Sequence, residues 1–302
     1  MDLRCTGLYS DWDSKTVSNA VTQYDPGLHL WSDGANKTRW IALPSGTTID
    51  TSDMDEWDFP AGTKVWKEFV VGGHRVETRL LWKQSVAAWY MTTYRWSSDE
   101  SSAPELVSGD LNADGNGYEI PSQTECHTCH DGRQDVVLGF EAVALSSPGA
   151  SGMTMSMLVA NGLVTTPPTA PITIPGSPTA AAALGYLHMN CGTSCHNSGS
   201  GAAHPTGFFM RLLVSQLATG QVTSTDTYLT GVHQTSHFVI PGDAGTTYRL
   251  APYSPQTSAV YYRMSRRDPS EDAGTQMPPI DSHKVDDAGS AAVVAWIDAG
   301  CL

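Results

Sequence analysis

Apolar and β-favouring residues gather in short, evenly spaced runs over the first 120 residues, and the pattern then changes. Residues 36–43, 64–71, 74–83 and 86–96 are rich in Val, Ile, Thr, Trp and Tyr and are bounded by Pro, Gly and Ser, which predicts strands. Gly72-Gly73 separates two of these runs and suits a two-residue hairpin, because such turns need positive φ. Trp12, Trp31, Trp40, Trp57, Trp66, Trp82, Trp89 and Trp96 all fall in this stretch and are expected to fill its core. Residues 1–122 therefore read as a β-rich domain, a sheet or small sandwich.

Beyond Pro121, residues 136–145 and 153–163 read as helical. Residues 165–178 form a Pro- and Thr-rich linker that can continue neither a helix nor a central strand. The Ala-rich stretch 179–190 and the stretch 286–299, with Val293, Val294, Trp296 and Ile297, predict two further helices. Residues 220–255 read as strands and turns. This divides the second half into 123–178 and 179–302. No fixed-period repeat is visible.

Charge narrows the partners. Asp and Glu outnumber Lys and Arg by 31 to 17, for a formal charge of -14, which argues against nucleic acid and anionic lipid and leaves a basic protein partner open. An acidic surface that only maintains solubility is the plainer alternative. No apolar run of about 18 residues offers a membrane span.

The chemistry is concentrated in two stretches. Cys126-His127-Thr128-Cys129-His130 has the C-x-x-C-H form that attaches haem covalently, and Cys191-Gly192-Thr193-Ser194-Cys195-His196 repeats it with one extra residue. Two thiols add across the two vinyl groups of one haem, so they must lie about one turn of chain apart, and the following His then lies beneath the iron. Cys126, Cys129 and His130 would hold one haem c, and Cys191, Cys195 and His196 a second. Zinc is the alternative, since the four cysteines could make one tetrathiolate site, but zinc gives no reason for His to follow the second cysteine both times.

Met277-Pro278-Pro279 precedes the last predicted helix, as a loop carrying a thioether sixth ligand should, and Met277 is assigned to the iron on His196. His188, three residues before Cys191, is the candidate sixth ligand for the other iron, with Met153, Met155 and Met157 as rivals, His74, His233 and His237 also open, and a vacant sixth position as the remaining alternative. Asp110, Asn112, Asp114 and Asn116 are spaced like the start of a calcium loop, but the twelfth position is Pro121 rather than a bidentate Glu; an Asx-rich turn is the competing account. Haem is normally attached outside the cytoplasm, so a periplasmic or extracellular location is expected, the leader being absent from this numbering. In such a compartment Cys5 and Cys301 could form a disulfide.

The runs Tyr24-Asp25-Pro26, Leu30-Trp31-Ser32-Asp33-Gly34-Ala35, Lys37, Arg39, Leu43-Pro44, Trp57, Phe59-Pro60, Gly62-Thr63, Lys67 and Glu77-Thr78-Arg79-Leu80 carry a family resemblance. It continues through Tyr186-Leu187-His188-Met189-Asn190-Cys191, Pro241-Gly242-Asp243, Tyr262-Arg263-Met264 and Gln276-Met277-Pro278-Pro279. Over nearly its whole length the chain resembles exported bacterial dihaem c-type cytochromes; the extra residue between Cys191 and Cys195 departs from that pattern. The resemblance implies electron transfer. The expected fold class is α+β, with the β-rich N-terminal domain followed by a mainly α-helical, cytochrome c-like haem region. Electron transfer to a redox partner protein or extracellular acceptor leads the functional readings. The alternatives are a dihaem peroxidase or oxygenase with one open-coordinated haem, for which the sequence assigns no distal His-plus-Arg pair although His127, Arg133 and Glu141 lie near the first motif in the chain, and a haem-bearing subunit of a homo-oligomer or filament.

Overall fold

A computed structural model describes residues 1–113, 115, 117–242, 245–267 and 274–302. The strands are β1 (Tyr9–Asp11), β2 (Thr16–Val17), β3 (Thr22–Asp25), β4 (Asn36–Ala42), β5 (Lys64–Val71), β6 (His74–Ser85), β7 (Ala88–Arg95), β8 (Glu105–Leu106) and β9 (Ser151–Gly152). β1 and β2 pair with each other, and the other seven form one antiparallel sheet in the order β8-β7-β6-β5-β4-β3-β9. Gly72 and Gly73 both take positive φ at the β5–β6 turn.

Alternation gives this sheet two different faces. Trp40, Trp66, Leu80 and Tyr94 lie on one, under Leu3 and Leu8 of the N-terminal segment. On the other, Ile41 pairs with Val65, Val65 with Leu81, and Leu81 with Met91. Ile41 and Val65 join the main core, which also contains Phe140, Val143, Leu158, Leu184, Leu187, Val293, Trp296 and Cys301. Residues on both sides of position 122 thus share one core, and β9 adds an edge strand from beyond that boundary.

The second half corrects the expected fold class. Helix makes up only 25% of the chain, too little for a mainly helical haem region, and it comes in short pieces. These are α1 (Gln123–His130), α2 (Ala142–Ser146), α3 (Met155–Ala160), α4 (Pro178–Leu187), α5 (Val214–Leu217), α6 (Asp226–Gly231), α7 (Ala259–Met264) and α8 (Asp287–Asp298). Pro167, Pro168, Pro171 and Pro175 remove backbone donors, and Gly176, Gly207 and Gly220 take positive φ, so helices cannot propagate through these stretches. The fold is an antiparallel sheet with short helices and irregular chain packed on its inner face. Residues 220–255 carry isolated bridges such as Val232 with Leu250, and no ladder is formed among the described residues.

α4 and α8 form where the Ala-rich and Val/Trp/Ile patterns placed them, and they pack on each other. Ser177 caps α4 by accepting from the Ala180 N–H, with Pro178 in the first turn; Asp286 caps α8 through the Gly289 N–H. No described helix is long and apolar enough to cross a membrane.

Candidate cofactor-attachment site

The first motif lies on α1. Ser122 and Glu125 form a reciprocal capping box at its start, and the Gln123 side-chain amide donates to the Met91 carbonyl at 2.8 Å, seating the helix on β7. Cys126, Cys129 and His130 are all partly buried, and both thiols are free.

The second motif starts in a different local geometry. After α4 the chain widens into a π-type turn over His188–Gly192, with the Thr193 N–H reaching the His188 carbonyl at 2.8 Å. The His196 N–H likewise reaches back five residues, to the Cys191 carbonyl at 2.8 Å. An inserted residue in a helical segment is commonly absorbed in this way. The extra residue of C-x-x-x-C-H therefore remains inside a closed turn that still joins Cys191 to His196.

The two motifs touch, although a linker was expected to separate their segments. Ser194 Oγ donates to the Cys129 carbonyl at 2.8 Å, Ser200 Oγ to the Asp131 carbonyl at 2.9 Å, and Asn197 Nδ2 to the Gly132 carbonyl at 3.3 Å. A Cβ at Gly132 would lie 1.9 Å from the Ser194 carbonyl oxygen, so glycine is required for this contact. Residues 165–178 do not hold the two motifs apart, and Ile172 in that stretch is buried in the main core.

Each motif histidine is fixed through Nδ1. His130 Nδ1 donates to the Val136 carbonyl, and His196 Nδ1 donates to the Phe208 carbonyl at 3.0 Å. A carbonyl can only accept, so the proton is on Nδ1 and the Nε2 lone pair is available. This is the orientation that metal-ligating histidines take. Burial, with the Lys67 and Arg79 charges adding, pushes the His130 imidazole down to about 4. His196 is lowered chiefly by burial, then by Arg263 and Arg249. Both imidazoles are thus held neutral, as iron ligation requires.

The thiols are shifted upward. Burial raises Cys126, raises Cys129 to about 11 and raises Cys191 to about 12, with the Cys195 thiol contributing at the last two. Among the described residues, no group of three or more His, Cys, Asp or Glu side chains is placed to hold a metal ion. Free thiols followed by a histidine with an available Nε2 fit a covalently attached haem at each motif.

The remaining assignments fare differently. Met277 is partly buried; its N–H donates to the Arg263 carbonyl at 2.9 Å, and the Arg263 charge is among those that lower His196. His188 is fully buried and uses both ring nitrogens. Nδ1 accepts the Leu212 N–H at 3.0 Å and Nε2 faces Glu141 Oε1 at 3.4 Å. In this arrangement both ring nitrogens of His188 face partners within the protein. Met153 and Met155 are buried in the main core, and Met157 is exposed.

The three polar residues near the first motif in the chain each have partners of their own. His127 is exposed and bonded to Asp131 at 2.9 Å, Arg133 bonds Glu56 at 3.2 Å, and Glu141 caps α2 through the Val143 and Ala144 N–H groups. Two of the four residues spaced like a calcium loop, Asp110 and Asn112, are among the described residues. Asp110 accepts from the Asn112 N–H at 3.0 Å and pairs with Arg95 at 3.1 Å, and Asn112 accepts from the Gly117 N–H at 2.7 Å. These are turn interactions, while Asp114 and Asn116 lie outside the described residues. The Cys5–Cys301 bridge is not formed: Cys5 is exposed beside the N-terminal segment, and Cys301 is fully buried in the main core.

Two features of the site escaped sequence reasoning. Asp135 is buried and accepts from Lys83 Nζ at 2.6 Å, Trp89 Nε1 at 2.7 Å and the Phe59 N–H at 2.6 Å. It thereby ties the loop after α1 to β6 and β7, one residue before the carbonyl that orients His130. A row of cations on the inner sheet face, described below, is the other; period-two alternation of Lys and Arg across paired strands was the available signal. No family model, curated protein or solved structure matches this chain.

Proposed function

We propose that this chain is an exported dihaem c-type cytochrome that transfers electrons through two covalently attached haems. The observation that carries the reading is the treatment of the two histidines. Each follows a free cysteine pair, and each gives its Nδ1 proton to a backbone carbonyl, that of Val136 or Phe208, leaving Nε2 free.

In this reading Cys126 and Cys129 hold one haem with His130 as its ligand, and Cys191 and Cys195 hold the other with His196. Bound haem supplies a one-electron change of iron valence. The protein fixes imidazole orientation, limits water at the partly buried motifs and keeps the two sites adjacent through the Ser194 to Cys129 contact. Met277 would offer its thioether to the haem held by His196, and a thioether ligand would raise that haem's potential. Attachment outside the cytoplasm and a charge of -14 favour a periplasmic or extracellular carrier with a basic redox partner.

An optical redox titration of the mature protein tests this reading. Two one-electron waves are expected, and Met277→Leu should lower one midpoint and remove the near-infrared charge-transfer band of ferric His–Met haem, leaving the other wave in place. A mature protein that accepts no electrons from dithionite would overturn the assignment.

A further inference from the structure

The inner face of the sheet carries a transverse row of polar residues between two apolar zones. Arg39 on β4 pairs with Lys67 on β5, Lys67 with Arg79 on β6, and Arg79 with Thr93 on β7. Directly paired residues share a face, so three cations stand side by side with a hydroxyl at the end of the row. Ile41, Val65 and Leu81 form the apolar zone on one side, and Phe69 with Ala35 and Tyr118 the zone on the other. Like charges directly opposite one another on paired strands are destabilising, so the arrangement needs a reason.

Two of the cations have acidic partners. Arg39 reaches Asp25 at 2.8 Å, and Arg79 grips Glu77 through two bonds of 2.8 and 2.7 Å. Lys67 has none among the described residues. It is half-buried and lies over the Phe69 ring at 5.0 Å, with no hydrogen bond or ion pair to its ammonium. The Thr93 hydroxyl is buried and also lacks a partner. A buried donor left unpaired costs about 1–3 kcal/mol. Burial, with the charges of Arg39, Lys37 and Arg79 adding, holds Lys67 well below the usual lysine range. The row therefore presents two unused donors, the Lys67 amine and the Thr93 hydroxyl, beside the paired guanidinium groups of Arg39 and Arg79.

The same row faces the first motif. α1 is seated on β7 through Gln123 and Met91, Asp135 fixes the following loop to Lys83 and Trp89 on this face, and the charges of Lys67 and Arg79 both act on His130. Haem carries its two propionates on the edge opposite its vinyl groups, so attachment through Cys126 and Cys129 leaves a dianionic edge needing donors.

We propose that Lys67, flanked by Arg39 and Arg79 and with Thr93 at the end of the row, binds the propionate carboxylates of the haem attached at Cys126 and Cys129. The proposal rests on the dihaem reading. Lys67 is a positioning residue for that haem and touches neither thioether nor iron.

The test uses mature protein and the variants Lys67→Met, Lys67→Arg and Thr93→Val. Lys64→Met is the control, because Lys64 stands on the opposite sheet face over Trp82 and bonds the Thr6 carbonyl. Haem count is read by intact mass, propionate hydrogen bonding by the propionate bending band in resonance Raman, and potential by redox titration. Lys67→Met should keep two haems, shift the bending band of one and lower that haem's midpoint; Lys67→Arg should restore both, and Lys64→Met should change neither. Thr93→Val removes a donor without changing charge, so it should shift the band even if Lys67→Met fails to fold. Two attached haems with parental bending bands in Lys67→Met and Thr93→Val would overturn this inference alone. A parent protein with no haem at Cys126 and Cys129 would overturn it together with the dihaem reading.

Discussion

Replacing Asp135 with Asn tests whether the sheet holds the first motif in place. The wild-type carboxylate is buried and accepts three bonds, from Lys83, Trp89 and the Phe59 backbone, and Lys83 is itself 1% exposed. Asparagine removes the charge and turns an amide donor toward other donors. Breaking a buried ion pair from one side costs about 3–5 kcal/mol. Asp58 also contacts Lys83 and is partly exposed, so the lower end applies, about 3 kcal/mol. At about 2 °C per kcal/mol for a chain of this size, Tm should fall by roughly 6 °C. Val136 follows Asp135 and accepts the His130 proton, so the same variant should perturb the spectrum of one haem and spare the other. Calorimetry and optical spectra of the mature protein read both effects. A Tm within about 1 °C of the parent would refute the reasoning.

Two further outcomes follow from the same network of contacts. Burial pushes Glu141 up, but the hydrogen bond with His188 Nε2, the Arg133 charge and the Val143 N–H outweigh it and hold the carboxyl at about 2. A depressed carboxylate contributes stability above its unfolded pKa and loses it as pH falls through the folded value, so about 3 kcal/mol should disappear between roughly pH 4.5 and 2. Glu141→Gln should remove that part of the acid dependence in urea unfolding, and parallel pH profiles for parent and variant would contradict it. Gly132→Ala forces a Cβ to 1.9 Å from the Ser194 carbonyl oxygen, so it should cost about 1–3 kcal/mol in urea unfolding; a change under about 0.5 kcal/mol would show that the two motifs do not pack as described.

How much of this was legible depends on how local each feature is. β5 spans Lys64–Val71, as its run of Val, Trp and Phe predicted, and α4 and α8 stand where cap residues flank apolar runs. The two Cys-His motifs were legible as motifs because their spacing is local. The pairing of β9 with β3 was not, because a two-residue strand has no period to read. The contact between the motifs depends on Gly132 meeting Ser194 across more than sixty positions, and nothing local announces it. A helical second half was expected from a few apolar stretches, and the prolines and positive-φ glycines between them prevailed. The contacts of His188 with Glu141 and Leu212, both distant in sequence, had no local signal. The π-type turn had a signal in the extra residue before Cys195, read there only as a departure from the motif.

The central claim is that both Cys-His motifs carry covalent haem. Intact mass of protein matured in a host with haem-attachment machinery, paired with a pyridine haemochrome spectrum, addresses it most directly. The account predicts two haems of c type per chain, mapped to Cys126 with Cys129 and to Cys191 with Cys195. A chain that leaves that host without covalent haem, its four motif thiols still open to alkylation, would contradict it.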